Sequence, residues 1–320
     1  MERHPKIAFF TEGMYAGKHD RNNTNARTEI AWMIALDAKH HSIMSMNQPL
    51  HEVFDLGIII LPKKWTTEIM NNLYIEVIQR SCKKIAIMQE GPNWYFQDYP
   101  LAQQLWFYET ISQADAIFCH NEADKKYYKG LYQKEHTYVM SSLMIEDTIE
   151  PLLNKPEGVM IGGNFCSWYG GFDSYIVAKH FNEPISAPSM GRKIAREDEM
   201  DIKHLPYMNW SEWVNELQKY KFGVHLMRTH AAGTFALNCA YWGIPCIGYK
   251  GLDTQNILHP YTTVELGDID EAVKIAQRLK TDVDFQITCR DISQKQYKQF
   301  YSEDFFKRNM DIILNRIVNS

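Results

Sequence analysis

The chain has 320 residues, of which 45% are hydrophobic and 23% charged, and its formal net charge is −5. This length suits two domains of ordinary globular composition. The acidic balance argues against a protein that coats nucleic acid non-specifically, because such proteins are basic overall. It leaves room for a local basic face.

The cysteines and the apolar runs bear on the compartment. The six cysteines form no C-x-x-C pair and no zinc-type spacing with histidine, so we expect no metal site and reduced thiols in a cytosolic protein. The N-terminus lacks the apolar stretch of a signal peptide, and no apolar run reaches the length of a membrane span. We therefore expect a cytoplasmic monomer, in the host cytoplasm if the protein is viral.

The first half of the chain alternates short apolar runs with segments of helical periodicity. This pattern predicts a parallel, doubly wound sheet. Asn121 is expected to cap the helix that follows it. Strands are predicted at residues 6–11, 41–46, 55–61, 84–89, 116–120 and 138–143, and helices at 24–39, 68–80, 101–113 and 121–132.

The pattern restarts after a segment of little periodicity, residues 146–157, which contains two prolines. The sequence therefore predicts two Rossmann-like domains facing a central cleft, residues 1–148 and 149–320, the second with terminal helices. Strands are predicted at residues 158–162, 222–227 and 245–249, and helices at 174–181, 210–220, 233–242, 269–280 and within 293–318.

A glycine-rich turn, Gly162-Gly163-Asn164, follows the first strand of the second half. Glycines let a backbone approach a ligand closely, and a helix start just beyond offers N–H groups to phosphate. A tight strand-to-helix turn without a ligand is the alternative. Gly170 and Gly171 extend the flexible stretch and favour a ligand-binding loop.

A second loop, residues 228–235, links a predicted strand to a helix. Gly233 and Thr234 open this helix, so a diphosphate can be held there by free N–H groups and the positive helix end. Arg228 adds a fixed cation. The alternative is an ordinary α/β connection.

The segment Leu237–Cys246, reading LNCAYWGIPC, resembles the donor site of GT-B glycosyltransferases, whose common form is Leu-Glu-Ala-Met-Ala-x-Gly-x-Pro-Val. Asn238 stands where the family has a glutamate that holds the donor ribose, and His230 stands where it has a glutamate eight residues earlier. The resemblance implies that residues 1–148 bind the acceptor and residues 149–320 bind a nucleotide-sugar.

A weaker resemblance, to the phage DNA hydroxymethylcytosine beta-glucosyltransferases, involves shorter pieces. These are the Gly162–Phe165 loop and the segment 188–193, which contains Arg192. Tyr207 begins a segment that lies where the GT-B fold contacts the nucleotide base. The resemblances together imply donor-binding roles for Gly162, Gly163, Asn164, Arg192, Tyr207, Arg228, His230, Gly233, Thr234 and Asn238.

Glu90 follows a predicted strand of the first half, at the edge where α/β sheets place ligands. A carboxylate there can take the proton of an attacking hydroxyl, so Glu90 is the candidate base and Asp98 the reserve. A turn-capping role is the alternative for Glu90. Trp94 and Tyr95 are expected either to stack on a sugar or base or to fill the core.

The loop of residues 12–23 carries a small basic cluster, with Arg27 just beyond it. Lys18, Arg21 and Arg27 suit an anionic or polar acceptor, including DNA phosphates. His19 and Asp20 are further candidates for the base. A solvated loop is the alternative.

The function that these patterns favour is transfer of a sugar, with UDP the expected nucleotide of the donor. The best candidate acceptor is a hydroxymethylated pyrimidine in phage DNA; a polysaccharide, a lipopolysaccharide or a small molecule is the alternative. A sugar-nucleotide epimerase and a non-catalytic nucleotide-sugar binder are the competing hypotheses. No cofactor is required for this reaction in the GT-B fold, although a divalent cation can assist product release.

Overall fold

The structure is a computed structural model that describes residues 4–13, 16–62, 75–146, 156–163, 165–166, 168–188 and 196–320. Two compact units account for these residues. Each unit contains one mainly parallel sheet covered by helices. None of the helices in the described ranges combines the length and the apolar composition that crossing a membrane requires.

The first sheet has seven strands, and all of them are parallel except β2, which runs antiparallel to β3. Its spatial order is β2-β3-β1-β4-β5-β6-β7. The central strands are buried on both faces, as parallel strands between helix layers must be. The strands are β1 (Ile7–Thr11), β2 (Gly17–Lys18), β3 (Lys39–Ser42), β4 (Phe54–Leu61), β5 (Cys82–Gln89), β6 (Ala116–Cys119) and β7 (Thr137–Val139).

Helices cover the first sheet and bury the aromatic part of its core. Phe107 is fully buried and stacks on Tyr99 with ring centroids 5.3 Å apart. The predicted cap of one helix is confirmed, because Asn121 Oδ1 accepts the N–H of Asp124 at 2.8 Å. The helices are α1 (Glu29–Ala35), α2 (Ile75–Ser81), α3 (Trp94–Asp98), α4 (Leu101–Ser112) and α5 (Glu122–Tyr132).

The second sheet has six parallel strands in the order β10-β9-β8-β11-β12-β13. The strands are β8 (Val159–Ile161), β9 (Ile185–Ala187), β10 (Lys203–His204), β11 (Phe222–His225), β12 (Cys246–Tyr249) and β13 (Thr263–Val264). The helices that follow in chain order are α6 (Gly171–Ala178), α7 (Trp210–Leu217), α8 (Thr234–Trp242), α9 (Asp253–Leu258), α10 (Ile269–Thr281), α11 (Val283–Phe300) and α12 (Glu303–Val318).

The prediction of two parallel α/β sheets followed by C-terminal helices is confirmed. The bounds of several predicted elements differ from the structure, and the differences in the first unit include the following two. The helix predicted at 24–39 is confined to α1, because Thr28 at its N-cap has a φ of +48°, which is not helical. The strand predicted at 41–46 lies at 39–42, and residues 43–45 form a 3₁₀ turn instead.

The last helix, α12, belongs to the first unit, whereas the sequence analysis assigned residues 303–320 to the C-terminal domain. The physical reason is its buried apolar face, which packs on β5. Leu314 lines the same cavity as Ile7 and Phe54, with which β1 and β4 begin. The second unit comprises residues 142–302 together with the short segment Thr24–Ala26.

A paired arginine anchors the start of α12 to the rest of the first unit. The two terminal nitrogens of Arg21, Nη1 and Nη2, donate to the Glu303 carboxylate, at 2.7 and 2.8 Å, and the Glu303 side chain is 11% exposed. Burial raises the pKa of Glu303, but the hydrogen bonds from Arg21 and Lys307 outweigh it, and the pKa falls below its usual value.

Replacement of Arg21 by alanine is therefore expected to destabilise the protein by about 2 kcal/mol, because it leaves a largely buried carboxylate with fewer partners. Chemical denaturation at neutral pH measures this loss. The pKa of Glu303 is lowered in the folded state. The contribution of this ion pair to stability is therefore fully present above the ordinary glutamate pKa and is lost as the pH falls below it. An Arg21→Ala protein as stable as the wild type at neutral pH contradicts the anchor.

Candidate functional site

The second sheet has the strand order of a dinucleotide-binding fold, in which ligands bind where the order reverses. Here the reversal lies between β8 and β11, the first and fourth strands of the unit. The turn at Gly162 follows β8, and the loop that contains Arg228 follows β11. The two predicted donor loops therefore lie side by side at the carboxyl edge of this sheet.

The two glycines after β8 are closely packed, and at Gly162 there is no room for a side chain. A Cβ atom on Gly162 would lie 2.5 Å from the ring of Phe235 and 2.6 Å from the ring of His225. A Cβ atom on Gly163 would lie 3.0 Å from Tyr169 Cβ and 3.3 Å from His225 Nε2. The turn thus brings bare backbone against an imidazole, and of the two glycines only Gly162 is partly exposed.

Two helices begin at this edge with a left-handed glycine at the N-cap. Gly170 precedes α6 with φ +63°, and Gly233 precedes α8 with φ +69°. Neither N-cap has a side-chain hydrogen bond within the described residues. Since glycine has no side chain with which to cap a helix, the amide groups of both first turns are left to other acceptors, such as the diphosphate expected there.

Arg228 lies at this edge and is held by a carboxylate. Its Nη2 donates to Asp173 Oδ2 at 3.0 Å, and Tyr249 Oη donates to the same oxygen at 3.2 Å. Burial raises the pKa of Tyr249 to about 12, so its hydroxyl keeps the donated proton at neutral pH. The guanidinium side chain is 58% exposed and has donors left for a ligand.

The predicted ribose contact of Asn238 is wrong for the structure as it stands. The side chain is completely buried. Its amide is satisfied within the unit when Nδ2 donates to Thr234 O at 3.0 Å and Oδ1 accepts from Trp213 Nε1 at 3.2 Å. Asn238 therefore ties α8 to α7 and offers no surface to a ribose.

The other predicted donor residues differ in their surroundings. His230 is half-buried and packs over Gly251, where an added Cβ would lie 2.4 Å from its Nε2. Thr234 is half-buried at the first position of α8. Tyr207 is 64% exposed after β10 and keeps a free face for a base or sugar. The predictions for Asn164 and Arg192 lie outside the described residues.

In the first unit, Glu90 follows β5 at the carboxyl edge of the sheet, and its N–H donates to Leu61 O at 2.7 Å. Glu29, at the start of α1, interacts electrostatically with Glu90 and with Glu12 after β1. The pKa of Glu29 is raised, mainly by burial and further by these two carboxylates, while the neighbouring Arg27 lowers it. Glu90 thus lies within a group of three glutamates.

The aromatic residues after Glu90 divide between surface and core. Trp94 and Tyr95 are half-buried and stack on each other with ring centroids 4.2 Å apart. Phe96 is buried against Phe107. Asp98, the reserve base, is exposed at the end of α3. The Trp94–Tyr95 pair is therefore a partly exposed aromatic surface close to Glu90 in the chain.

Lys18 does not lie at the carboxyl edge of the first sheet, where an acceptor is expected. It belongs to β2, which runs antiparallel to β3 and places Lys18 opposite Lys39, the first residue of β3. Lys18 is thereby carried to the amino edge of the sheet. There it pairs with Asp37 at 2.5 Å and lines a cavity of about 620 Å³ beside Lys6.

Arg21 is also diverted from the predicted acceptor role, since it binds Glu303. His19 is half-buried, with Nδ1 3.1 Å from Asn23 Nδ2, and burial lowers its pKa despite the nearby Asp20. Asp20 is exposed and accepts the N–H of Asn22. Of the basic cluster, Arg27 alone remains beside the three glutamates.

Sequence reasoning missed three residues of these edges. Asp173 had a signal, since it follows the Gly170-Gly171 pair at a helix start, where a carboxylate is a common first-turn residue. His225 had a signal too, as a polar residue at the end of an apolar strand. Glu29 had none, because an acidic residue within the helix predicted at 24–39 is ordinary.

Within the described ranges, histidine, cysteine, aspartate and glutamate form no group of three that could hold a metal ion.

Known structures of the same fold were found by comparison, although no family model and no curated protein sequence matches the chain. An alpha-glucosyltransferase in complex with UDP and a 13-mer DNA containing a HMU base shares 14% identity, with a TM-score of 0.67 over 98% of this chain and 100% of that one. The chain thus has the GT-B glycosyltransferase fold.

Two further neighbours cover both chains almost completely. Sucrose-phosphate synthase from Thermosynechococcus elongatus has 11% identity and a TM-score of 0.67, covering 98% of this chain and 99% of that one. HepE of Anabaena, in complex with UDP, has 11% identity and a TM-score of 0.68, covering 97% and 100%.

Proposed function

We propose that this protein is a glycosyltransferase that takes its sugar from a UDP-sugar bound at the carboxyl edge of the second sheet. The observation that carries the proposal is the meeting, at the strand-order reversal, of two uncapped helix starts with the half-exposed Arg228. Backbone N–H groups and a guanidinium are the partners that a diphosphate requires. UDP complexes of the same fold support the choice of nucleotide.

The reaction that we propose is direct displacement at the anomeric carbon. The acceptor hydroxyl oxygen bonds to that carbon while the bond from carbon to the terminal phosphate oxygen breaks. UDP leaves with the bonding electron pair, and the hydroxyl proton passes to the Glu90 carboxylate. Arg228 and the helix starts stabilise the charge that develops on the leaving diphosphate.

As acceptor we propose a hydroxymethylated pyrimidine in DNA. The support is the neighbour bound to DNA with a HMU base, which matches this chain over its whole length. Arg27 and the Trp94–Tyr95 pair are the described side chains that suit a phosphate and an unstacked base. A small-molecule or glycan acceptor is the second candidate, since sucrose-phosphate synthase is equally similar in structure and two of the three predicted basic residues are engaged elsewhere.

The acceptor experiment offers UDP-glucose with hydroxymethylated duplex DNA, with unmodified duplex of the same sequence, and with a panel of sugars and sugar phosphates. Glucose incorporation is measured by mass spectrometry. Transfer to the hydroxymethylated duplex alone supports the DNA acceptor. Transfer only to the sugars and sugar phosphates rejects DNA as the acceptor but still supports a glycosyltransferase. Donor turnover without any acceptor product favours an epimerase, and tight binding without turnover favours a nucleotide-sugar binder.

Replacement of Arg228 by alanine is expected to weaken UDP binding about 10- to 100-fold, the loss of a charge-assisted contact to phosphate. Calorimetric titration of UDP measures the effect. Arg290→Ala is the matched control, since Arg290 is an exposed arginine of the same unit that pairs with Asp291. Equal UDP affinity in the wild type and Arg228→Ala removes Arg228 from the donor site.

A further inference from the structure

One buried histidine of the second unit has no role in the proposed reaction so far. His225 is the last residue of β11, beside the strand-order reversal, and it is 7% exposed. Gly162 and Gly163 cover one side of its ring, and Phe235 meets it edge-on with ring centroids 5.3 Å apart.

Nε2 of His225 is buried and has no hydrogen-bond partner among the described residues. His259, also buried in the same unit, has a partner for this atom, because its Nε2 lies 2.9 Å from Ala236 O. Burial lowers the pKa of each to about 4, so both rings are neutral at physiological pH. An unmade hydrogen bond at a buried nitrogen is unfavourable, so a ligand that supplies the missing partner gains that hydrogen bond on binding.

The turn over this nitrogen is the one assigned to the donor. Gly163 is the residue nearest to Nε2 in that turn, and neither glycine places a side chain between the ring and the carboxyl edge. Burial is the single cause of the lowered pKa, and no charged group of the described residues contributes to it. The groups that an incoming ligand would meet at the edge are Arg228, Asp173, Tyr249 and His230.

We propose that His225 is a donor-binding residue, whose Nε2–H donates to the diphosphate of the nucleotide-sugar once the Gly162–Gly163 turn moves off the ring. This inference rests on the proposed function. A diphosphate beside the imidazole favours its charged form, so donor binding takes up a proton. The bound-state pKa then lies above the free-state value, and affinity rises as the pH is lowered through the bound-state pKa.

The test is calorimetric titration of the full-length protein with UDP-glucose in the absence of acceptor. Its diphosphate is esterified at both ends and has no proton to exchange near neutrality. Titrations at about pH 6 and about pH 8, in buffers of different ionisation enthalpy, count the protons taken up. For the wild type we expect proton uptake at the lower pH and tighter binding there.

Two variants separate the hydrogen bond from the charge. His225→Gln keeps a neutral N–H near the Nε2 position, so we expect an affinity within about threefold of the wild type at the higher pH, with the pH dependence abolished. His225→Phe keeps the ring shape without the N–H, so we expect binding at least about tenfold weaker at both pH values. The free His225→Phe protein should melt no lower than the wild type, because no polar atom is left unsatisfied.

His180→Gln is the matched control, an exposed histidine of the same unit. Unchanged affinity in His225→Phe, or proton uptake that persists in His225→Gln, overturns the inference; persistence would assign the proton to another group such as His230. If His225→Phe fails to fold, His225→Gln still decides. Absence of UDP-glucose binding by the wild type instead refutes the proposed function.

Discussion

Replacement of Glu90 by glutamine is expected to lower the transfer rate about 1,000-fold, within the range for loss of a positioned general base. UDP binding should stay unchanged, because glutamine keeps the size of the side chain and Glu90 is not among the residues proposed to hold the diphosphate. Steady-state transfer rates and calorimetric UDP titration measure the two effects.

Two further carboxylate variants make this prediction specific. Glu29→Gln removes the neighbouring acid whose pKa is raised by burial and by Glu90, and Asp98→Asn removes the exposed reserve base. We expect each to keep at least about a tenth of the wild-type rate. Loss of transfer in Glu29→Gln, with Glu90→Gln active, moves the base to Glu29.

Replacement of Gly170 by alanine is expected to destabilise the protein by about 4 kcal/mol, at the upper end for single substitutions. Gly170 has φ +63°, and an added Cβ would lie 1.8 Å from the carbonyl oxygen of Leu226. Hydrogen bonds connect the start of α6 to the segment after β11, since Ser174 Oγ donates to Gly170 O at 2.7 Å and accepts from Leu226 N at 2.9 Å. Loss of UDP affinity should accompany the loss of stability.

Gly130→Ala is the matched control for this prediction. Gly130 lies inside α5, and nothing lies within 4 Å of an added Cβ there. Alanine is favoured over glycine within helices, so we expect Gly130→Ala to be more stable by about 0.5–1 kcal/mol. Urea denaturation measures both variants. A Gly170→Ala protein of wild-type stability contradicts the packing described around Leu226.

Much of the fold could be predicted from the sequence because the central strands are continuous apolar runs. β4 and β5 each span eight residues and are buried almost throughout, which is a strong signal. The strands β2, β10 and β13 span two residues each, too few for any periodicity, and the sequence analysis did not find them. β3 was displaced in the prediction because polar residues, such as His40 bonded to Thr11, form its buried face.

The positions of the candidate loops could be predicted, because they follow from the order of the strands. The roles of individual side chains could not, because they depend on partners that are distant in the chain. Strand order brings Gly162 and Arg228 to one edge of the second sheet, and local sequence indicates both loops. Arg21 instead meets Glu303, 282 residues further along the chain, a pairing that no local pattern reveals. Asn238 stands at the position of a family glutamate that holds the ribose, yet its amide is buried by contacts with Trp213 and Thr234.

The return of α12 to the first unit has a consequence for biosynthesis. Residues 142–302 leave the ribosome before Glu303 does, so the second unit has nearly all of its chain while the first still lacks a helix. During translation the apolar surface of β5 that α12 will cover therefore stays open until α12 has left the ribosome. A chain that ends at Ser302 and has been released from the ribosome should accordingly show a protease-resistant second unit and a protease-sensitive first unit.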